Sequence, residues 1–493
     1  MENLISLPPL HEYNFIRYKI FLSLQNTQPI SISMEPPNLN TVPPTITSHV
    51  VAIPYPGRGH INPMMNLTKI LVSKNPNILI TFVVTEEWLS FIGSEPKPNN
   101  IQFATIPNVI PSEEGRANDF VNFLESVMTK MEDPFERLLD RLEPPPSVII
   151  HDSYLAWVVR VANKRNVPVA SFWPMSSSFF LVLKHYQLLE QNGHYPVNAS
   201  EVGDKRVDYI PGNSSIRLVD FPLKDASFRS RRLLQLALAT IPWAEKSQYL
   251  LFPSIYELEP QAIDVLRQEL SIPIYTIGPT IPYLTHNQVV STNHDYINWL
   301  DNQPLGSVLY VSQGSFLSVS SEQIDEIANG LRESGVRFLW VMRGESSNWK
   351  NICGDKGFVL PWCDQLKVLM HSAIGGFWSH CGWNSTREGL FCGVPFLTFP
   401  IMMDQPLNSK YIVEDWKVGW RVEKEVKVNV LIRRDEIARL VRRFMDLDDY
   451  EVKEMRKRAR ELQQVCQSSI ASGGSSENNM EEFLGHILHG AKP

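Results

Sequence analysis

The chain has 493 residues, 43% of them apolar and 20% charged, enough to bury substantial cores in two or three domains. Its net charge of −7 gives no general attraction to nucleic acid or to an anionic membrane, and no apolar run is long enough to span a bilayer. Five irregularly spaced cysteines, an odd number, fit a reducing compartment such as the cytoplasm better than a disulfide framework.

Residues 1–47 read as an N-terminal extension without packed structure. Met34 is a candidate functional start, because the Pro-rich MEPPNLNTVPPTITS that follows leads into the first strand; upstream, IRYKIFLSL is too short and poorly bounded for a secretory segment. From 48 to 273 strand and helix signals alternate, the α/β rhythm. HVVAIPYP reads as a buried first strand, and GRGHINPMMNLTKILVSK then switches to helical spacing at Ile61, Met64, Met65, Leu67 and Ile70. His60 therefore stands in a strand-to-helix turn, at the carboxyl end of a parallel strand, where doubly wound sheets bind ligands. After ILITFVVTE and the helical FVNFLESVMTKMEDPFERLLDRL, the strand SVIIHD delivers Asp152 to the same rim, so the two residues are expected to share one crevice. The stretch from Ser176 to Phe228 is less regular; SSSFFLVLKHYQLL in it reads as a buried helix beside a small-molecule cleft.

Residues 274–304, rich in Pro, Thr and Asn, read as an interdomain linker. A second α/β unit follows over 305–460, with SVLYVSQGS, SEQIDEIANGLRES and RFLWVMR, and Ser315 sits at the end of its first strand. DEIARLVRRFMD and EVKEMRKRARELQQV read as helices with solvated charged faces, and 461–493 as C-terminal helices that pack back on the first domain.

The densest signal is WCDQLKVLMHSAIGGFWSHCGWNSTREGLFCGVPFLTFPIMMDQ, Trp362 to Gln405. A buried strand, Ala373 to Ser379, runs into the polar turn His380 to Ser385, which opens a helix near Thr386. Free backbone N–H groups at a helix start, the positive end of its dipole and the donors of His380, Asn384 and Ser385 make a cradle for a diphosphate. Trp362 offers a face on which a base can stack, and the backbone of Cys363 lies where a base edge would be read. Gln365 and Glu388 suit ribose hydroxyls, and Asp404 and Gln405 suit sugar hydroxyls. One ligand is followed from base to hexose.

This stretch resembles the signature box of the plant secondary-product UDP-glycosyltransferases, W-x-x-Q through H-C-G-W-N-S-x-x-E to D/E-Q, with every one of those positions filled. The resemblance implies the GT-B architecture, two facing Rossmann-like domains with a cleft between them. It places Trp362 against uracil, Gln365 and Glu388 on ribose, and His380, Asn384 and Ser385 on the diphosphate. Trp383, Asp404 and Gln405 then meet the sugar, and Gln405 in the last position points to UDP-glucose as co-substrate, with no cofactor and no metal. Ser315 matches the family's phosphate-side Gly-Ser pair. His60, in G-x-G-H-x-x-P, takes the role of base, with Asp152 as its partner. PYPGRGHINPMMNL and WCDQLKVL are most similar to the subgroup numbered eighty-seven, which implies a small hydroxylated acceptor: a flavonoid, phenolic, terpenoid or hormone. Arg387 departs from the aliphatic residue common at its position.

Two other functions are compatible with parts of the chain. GRGHIN, Gly57 to Asn62, is similar to the dinucleotide motif GxGxxG of an NAD-dependent oxidoreductase, with Glu86 or Glu87 as ribose carboxylate, but Asn62 replaces the third glycine. A non-catalytic nucleotide-sugar binder is the second, because a site can outlive its chemistry. His371, His380, Cys381 and Cys392 lack the close pairs of a zinc site. Asp446-Leu447-Asp448 imitates a metal-binding DxD but follows a basic helix outside any strand end, and the Asn-x-Ser/Thr triplets at Asn66, Asn198, Asn213 and Asn384 read as incidental.

Overall fold

The computed structural model describes residues 46–195, 204–213, 215–221, 228–281, 295–314, 320–342, 354–422 and 431–489. Met34 and Ser315 lie outside them, as does the N-terminal extension up to residue 45.

Strands β1 (Ser48–Ile53), β2 (Ile78–Thr85), β3 (Ile101–Ile106), β4 (Val148–Asp152) and β5 (Val169–Phe172) are short, largely apolar runs, the composition of parallel strands covered on both faces. A small antiparallel hairpin, β6 (Arg206–Val207) and β7 (Ile216–Arg217), precedes β8 (Tyr249–Phe252) and β9 (Ile274–Thr276). All but the hairpin form one seven-stranded parallel sheet in the order β3-β2-β1-β4-β5-β8-β9. The direction of winding reverses between β1 and β4, and their carboxyl ends open a crevice there.

A second parallel sheet contains β10 (Val308–Ser312), β11 (Arg337–Val341), β12 (Gly357–Leu360), β13 (Ile374–Ser379), β14 (Phe396–Thr398) and β15 (Gly419–Arg421). Its order, β12-β11-β10-β13-β14-β15, reverses between β10 and β13. The Gly375-Gly376 pair in β13 is required by packing. A Cβ on Gly375 would lie 1.9 Å from the Gly306 carbonyl oxygen, and one on Gly376 would lie 2.4 Å from the Phe444 ring. The molecule is therefore two Rossmann-like α/β domains, the GT-B architecture.

Three sequence expectations change. Ile274–Thr276, read as the start of a linker, is buried and pairs in parallel with β8, and Asp295–Asp301 is a helix. The neighbouring prolines bracket these elements without entering them. The long helical signal from Phe120 splits into Phe120–Lys130 and Glu132–Leu139, because Pro134 has no N–H to continue the first helix and sits instead in the first turn of the second. Finally, the helix of the signature box begins at Trp383, three residues earlier than the polar composition suggested.

The two halves are tied at several points. The helix Ser475–His489 returns to the first sheet, where Phe483 packs on Tyr249 and Tyr275, and Lys74 pairs with Glu477 and Glu481 at 2.5 and 2.6 Å. Tyr411 Oη donates to Asn213 Oδ1 at 2.7 Å, and the Trp416 indole donates to the Leu258 carbonyl. Glu414 accepts from Arg206 at 2.8 Å and pairs with Arg421 at 2.9 Å, while Arg217 grips Asp220 through two 2.8 Å bonds. Burial alone would raise the Glu414 carboxyl, but the Arg206 and Arg421 guanidiniums hold it down to about 2. A carboxyl depressed in this way stabilises the fold above its ordinary titration range and loses that contribution only as pH falls toward 2, so this link is fully charged near neutrality.

Candidate active site

Gly57 caps the helix Arg58–Lys74, so His60 falls in its first turn directly above the end of β1. Asp152 is the last residue of the adjacent β4, and His60 Nδ1 lies 2.7 Å from its Oδ2. Asp152 is wholly buried, and its other oxygen accepts the Tyr154 backbone N–H at 3.0 Å. A carboxylate only accepts, so Nδ1 carries the hydrogen and Nε2 keeps its lone pair. The His60 side chain remains 24% exposed, enough for a small molecule to reach that lone pair. Beside it the Tyr55 ring is 4.7 Å from His60 and Tyr154 meets it edge-on at 6.1 Å, both backed by the buried Phe123 and Trp173 rings.

The corresponding crevice of the second sheet holds most of the box. His380 follows β13, and its ring fills the space between Gly314 and Gly382, where added Cβ atoms would lie 2.7 and 2.5 Å from Nε2. Gly314 has φ +83, a conformation natural to glycine. Burial keeps the imidazole neutral, with its pKa down at about 4. Gly382 caps the helix Trp383–Phe391 without a side-chain cap, and Thr386 N–H donates to the Gly382 carbonyl at 3.0 Å. Asn384 and Ser385 are thus inside the first helical turn, among the backbone donors an anion would use.

Farther along, Trp362 is 64% exposed beside the buried Cys363. The Tyr310 hydroxyl in β10 lies 3.4 Å from Cys363 Sγ and donates to Gln365 Oε1 at 3.2 Å. Gln365 Nε2 in turn donates to Glu388 Oε2 at 2.7 Å and Ser385 Oγ at 3.0 Å. Glu388 is partly accessible yet enclosed enough that burial pushes its carboxyl up to about 7. Asp404 is pushed up to about 6 by burial, which hydrogen bonds from Asn408 and the Trp383 backbone and the nearby His60 partly offset. Gln405 Oε1 accepts the N–H groups of Ile401 and Met402 at 2.8 and 3.1 Å, which fixes its amide.

Two members of the box have protein partners that sequence reasoning did not anticipate. The Trp383 indole, expected at the sugar, donates to the Pro253 carbonyl at 3.0 Å and is 3% exposed, so it joins the two halves. Asn384 Nδ2 donates to the Gly59 carbonyl at 2.7 Å, one residue before His60. Tyr154 and Tyr310 were missed altogether. Their signal was placement, two residues beyond Asp152 and in the middle of β10. Asp446 and Asp448 lie in a turn, with Asp448 N–H donating to Asp446 Oδ1 and Lys453 near Asp448.

Known proteins resemble the chain along most of its length. Residues 293–432 match the family model described as "UDP-glucoronosyl and UDP-glucosyl transferase". UDP-glycosyltransferases 87A1 and 87A2 of Arabidopsis thaliana are each 52% identical, over 88% and 91% of this chain and 99% of each relative. The structure of Phytolacca americana UGT2 with UDP-2fluoro-glucose and pterostilbene superposes with a TM-score of 0.75 at 27% identity, covering 89% of this chain and 99% of that one. Medicago truncatula UGT71G1 with UDP-glucose gives 0.72 at 28%, covering 90% and 98%. With the signature box, the paired crevices and relatives matched along nearly their whole length, the chain belongs to the plant UDP-glycosyltransferase family.

Proposed function

We propose that the protein transfers glucose from UDP-glucose to a hydroxyl of a small lipophilic acceptor, a flavonoid, phenolic, terpenoid or hormone, with inversion at the anomeric carbon. The observation that carries the reading is the His60–Asp152 contact at 2.7 Å at the carboxyl ends of β1 and β4. His60 Nε2 takes the acceptor hydroxyl proton as the oxygen attacks the anomeric carbon, and the bond to the diphosphate oxygen breaks on the opposite side. Asp152 fixes the tautomer and stabilises the imidazolium that forms. UDP leaves with its negative charge met by the helix Trp383–Phe391, His380, Asn384 and Ser385. Ser315 is assigned to the same phosphates from its sequence position. Trp362 stacks on uracil, the Cys363 backbone reads the base edge, Gln365 and Glu388 grip the ribose, and Asp404 and Gln405 face the hexose, while the Trp383 indole stays on the Pro253 carbonyl. The Tyr55 and Tyr154 rings beside His60 support an apolar acceptor, as does pterostilbene in the Phytolacca protein. The cysteine pattern supports a cytoplasmic setting, and no helix among the described residues is long and apolar enough to cross a membrane.

Purified protein is to be incubated with UDP-glucose and a panel of flavonols, simple phenols and terpenoid alcohols, following UDP release and product mass. A hexose-sized gain on an acceptor is the expected result. Saturable UDP-glucose binding with no UDP release on any acceptor would instead favour a binding-only protein.

The Glu388 carboxyl makes donor affinity pH-dependent. With its pKa near 7, it is largely protonated at pH 6 and largely ionised at pH 8. A carboxylate accepts hydroxyl hydrogen bonds more strongly than a carboxylic acid, so the Kd for UDP-glucose should fall about fivefold across that interval. Glu388→Gln should flatten the dependence, and an unchanged slope in that variant would remove Glu388 from the ribose.

A further inference from the structure

We propose that Arg387 is a positioning residue for the donor's diphosphate, acting by locking the carboxamide of Asn384 with its N–H groups outward. The inference rests on the proposed donor site but concerns a residue that does not itself touch the ligand.

Arg387 is 3% exposed, and its guanidinium bridges three residues. Its Nη2 donates to Asn384 Oδ1, one helical turn back. Its Nη1 donates to the Pro279 carbonyl and to Thr280 Oγ1, the latter at 2.7 Å. Thr280 is held in the left-handed region at φ +40, and its carbonyl accepts Asn66 Nδ2 at 2.9 Å from the helix that carries His60. Arg387 therefore anchors on the segment leaving the first sheet and reaches forward to the anion cradle. Nε has no partner, and the adjacent Glu388 is the carboxylate that opposes the cost of burying the cation.

Such a charge is expensive to bury unless its geometry is used. An asparagine amide can present either oxygen or nitrogen, and only the nitrogen attracts a phosphate. With Oδ1 held by a guanidinium, a flip would set NH₂ against a cation, so Nδ2 must face the rim, where it now meets the Gly59 carbonyl. An aliphatic side chain at position 387 would remove the restraint on Oδ1 and leave the orientation of the amide to the Gly59 carbonyl. The charge inside the first turns of the helix also adds to the field that receives the anion.

Binding of UDP and of uridine, which lacks the phosphates, separates this role from a general structural one. Arg387→Leu should weaken UDP about tenfold, the loss expected for one hydrogen bond to a charged group, and leave uridine within about twofold. In an Asn384→Ala background the same substitution should cost UDP little, because the amide it orients is gone. Arg387→Lys keeps the charge but cannot fork between Asn384 and Pro279, and should behave like the leucine variant; it also serves if leucine fails to fold. Equal losses for UDP and uridine, additive losses in the double variant, or full recovery with lysine would each overturn the positioning role. Wild-type protein that binds neither ligand would instead defeat the donor-site reading itself.

Discussion

Replacing His60 with alanine is expected to lower kcat by on the order of 10²- to 10⁴-fold, the contribution of a positioned general base, with the Kd for UDP-glucose within about twofold of wild type. The separation follows from placement. His60 stands at the β1–β4 crevice, whereas the side chains assigned to uracil, ribose and diphosphate stand at the β10–β13 crevice or along the box that follows it. Its ring is partly exposed, so truncation opens no core cavity and should leave the thermal midpoint within a few degrees. Single-turnover rates and calorimetric donor affinity on the same preparation check both halves of the expectation. Retained turnover would remove the base from the mechanism, and a parallel loss of donor affinity would mean that the turn, rather than the imidazole, had been damaged.

Asp152→Asn should cost a comparable factor by a different route. Asparagine keeps the volume of the buried side chain, and its Oδ1 can still accept the Tyr154 N–H. Its NH₂, however, would face His60 Nδ1 and donate to it, which moves the imidazole hydrogen to Nε2, the nitrogen that has to take the acceptor proton. The variant also loses the buried anion that stabilises imidazolium. In a serine protease the same exchange of aspartate for asparagine sets the wrong tautomer and lowers kcat about 10⁴-fold; here a loss of at least about 10²-fold is expected. The pH–rate profile supplies the discriminating measurement. If the dyad operates, the pH–rate profile of the Asn variant should differ from that of wild type, since the carboxylate partner has been neutralised. An unchanged profile with unchanged rate would leave Asp152 a strand-end carboxylate satisfied by Tyr154.

The relation between donor site and acceptor site is closer than two facing domains suggest. Asn384 of the box bonds to Gly59 in the turn that carries His60, and Trp383 bonds to Pro253 at the end of β8. Asp404 is influenced electrostatically by His60. These contacts join the box directly to the turn that carries His60.

Much was legible in the residues alone: the two α/β units, the place of His60 and Asp152 at strand ends, and the order of strand, turn and helix within Trp362 to Gln405. These are local matters, carried by apolar period, turn chemistry and the spacing of polar groups along contiguous residues. Element limits were less legible, because Asn384 and Ser385 look like turn residues until the Gly382 carbonyl is seen to accept from Thr386 and draw them into the helix. What depends on residues far apart in the chain emerged only on folding. The crevice shared by His60 and Asp152 was expected, but their 2.7 Å contact across 92 positions followed from β1 and β4 being neighbours at the reversal of the sheet. The indole of Trp383 was claimed by Pro253, 130 positions away, and Arg387, a mere departure from pattern in the sequence, became a buried cation bridging Pro279, Thr280 and Asn384. Burial, too, is a property of the folded neighbourhood: it raised Glu388 and Asp404 and lowered His380, shifts that no residue type or spacing encodes.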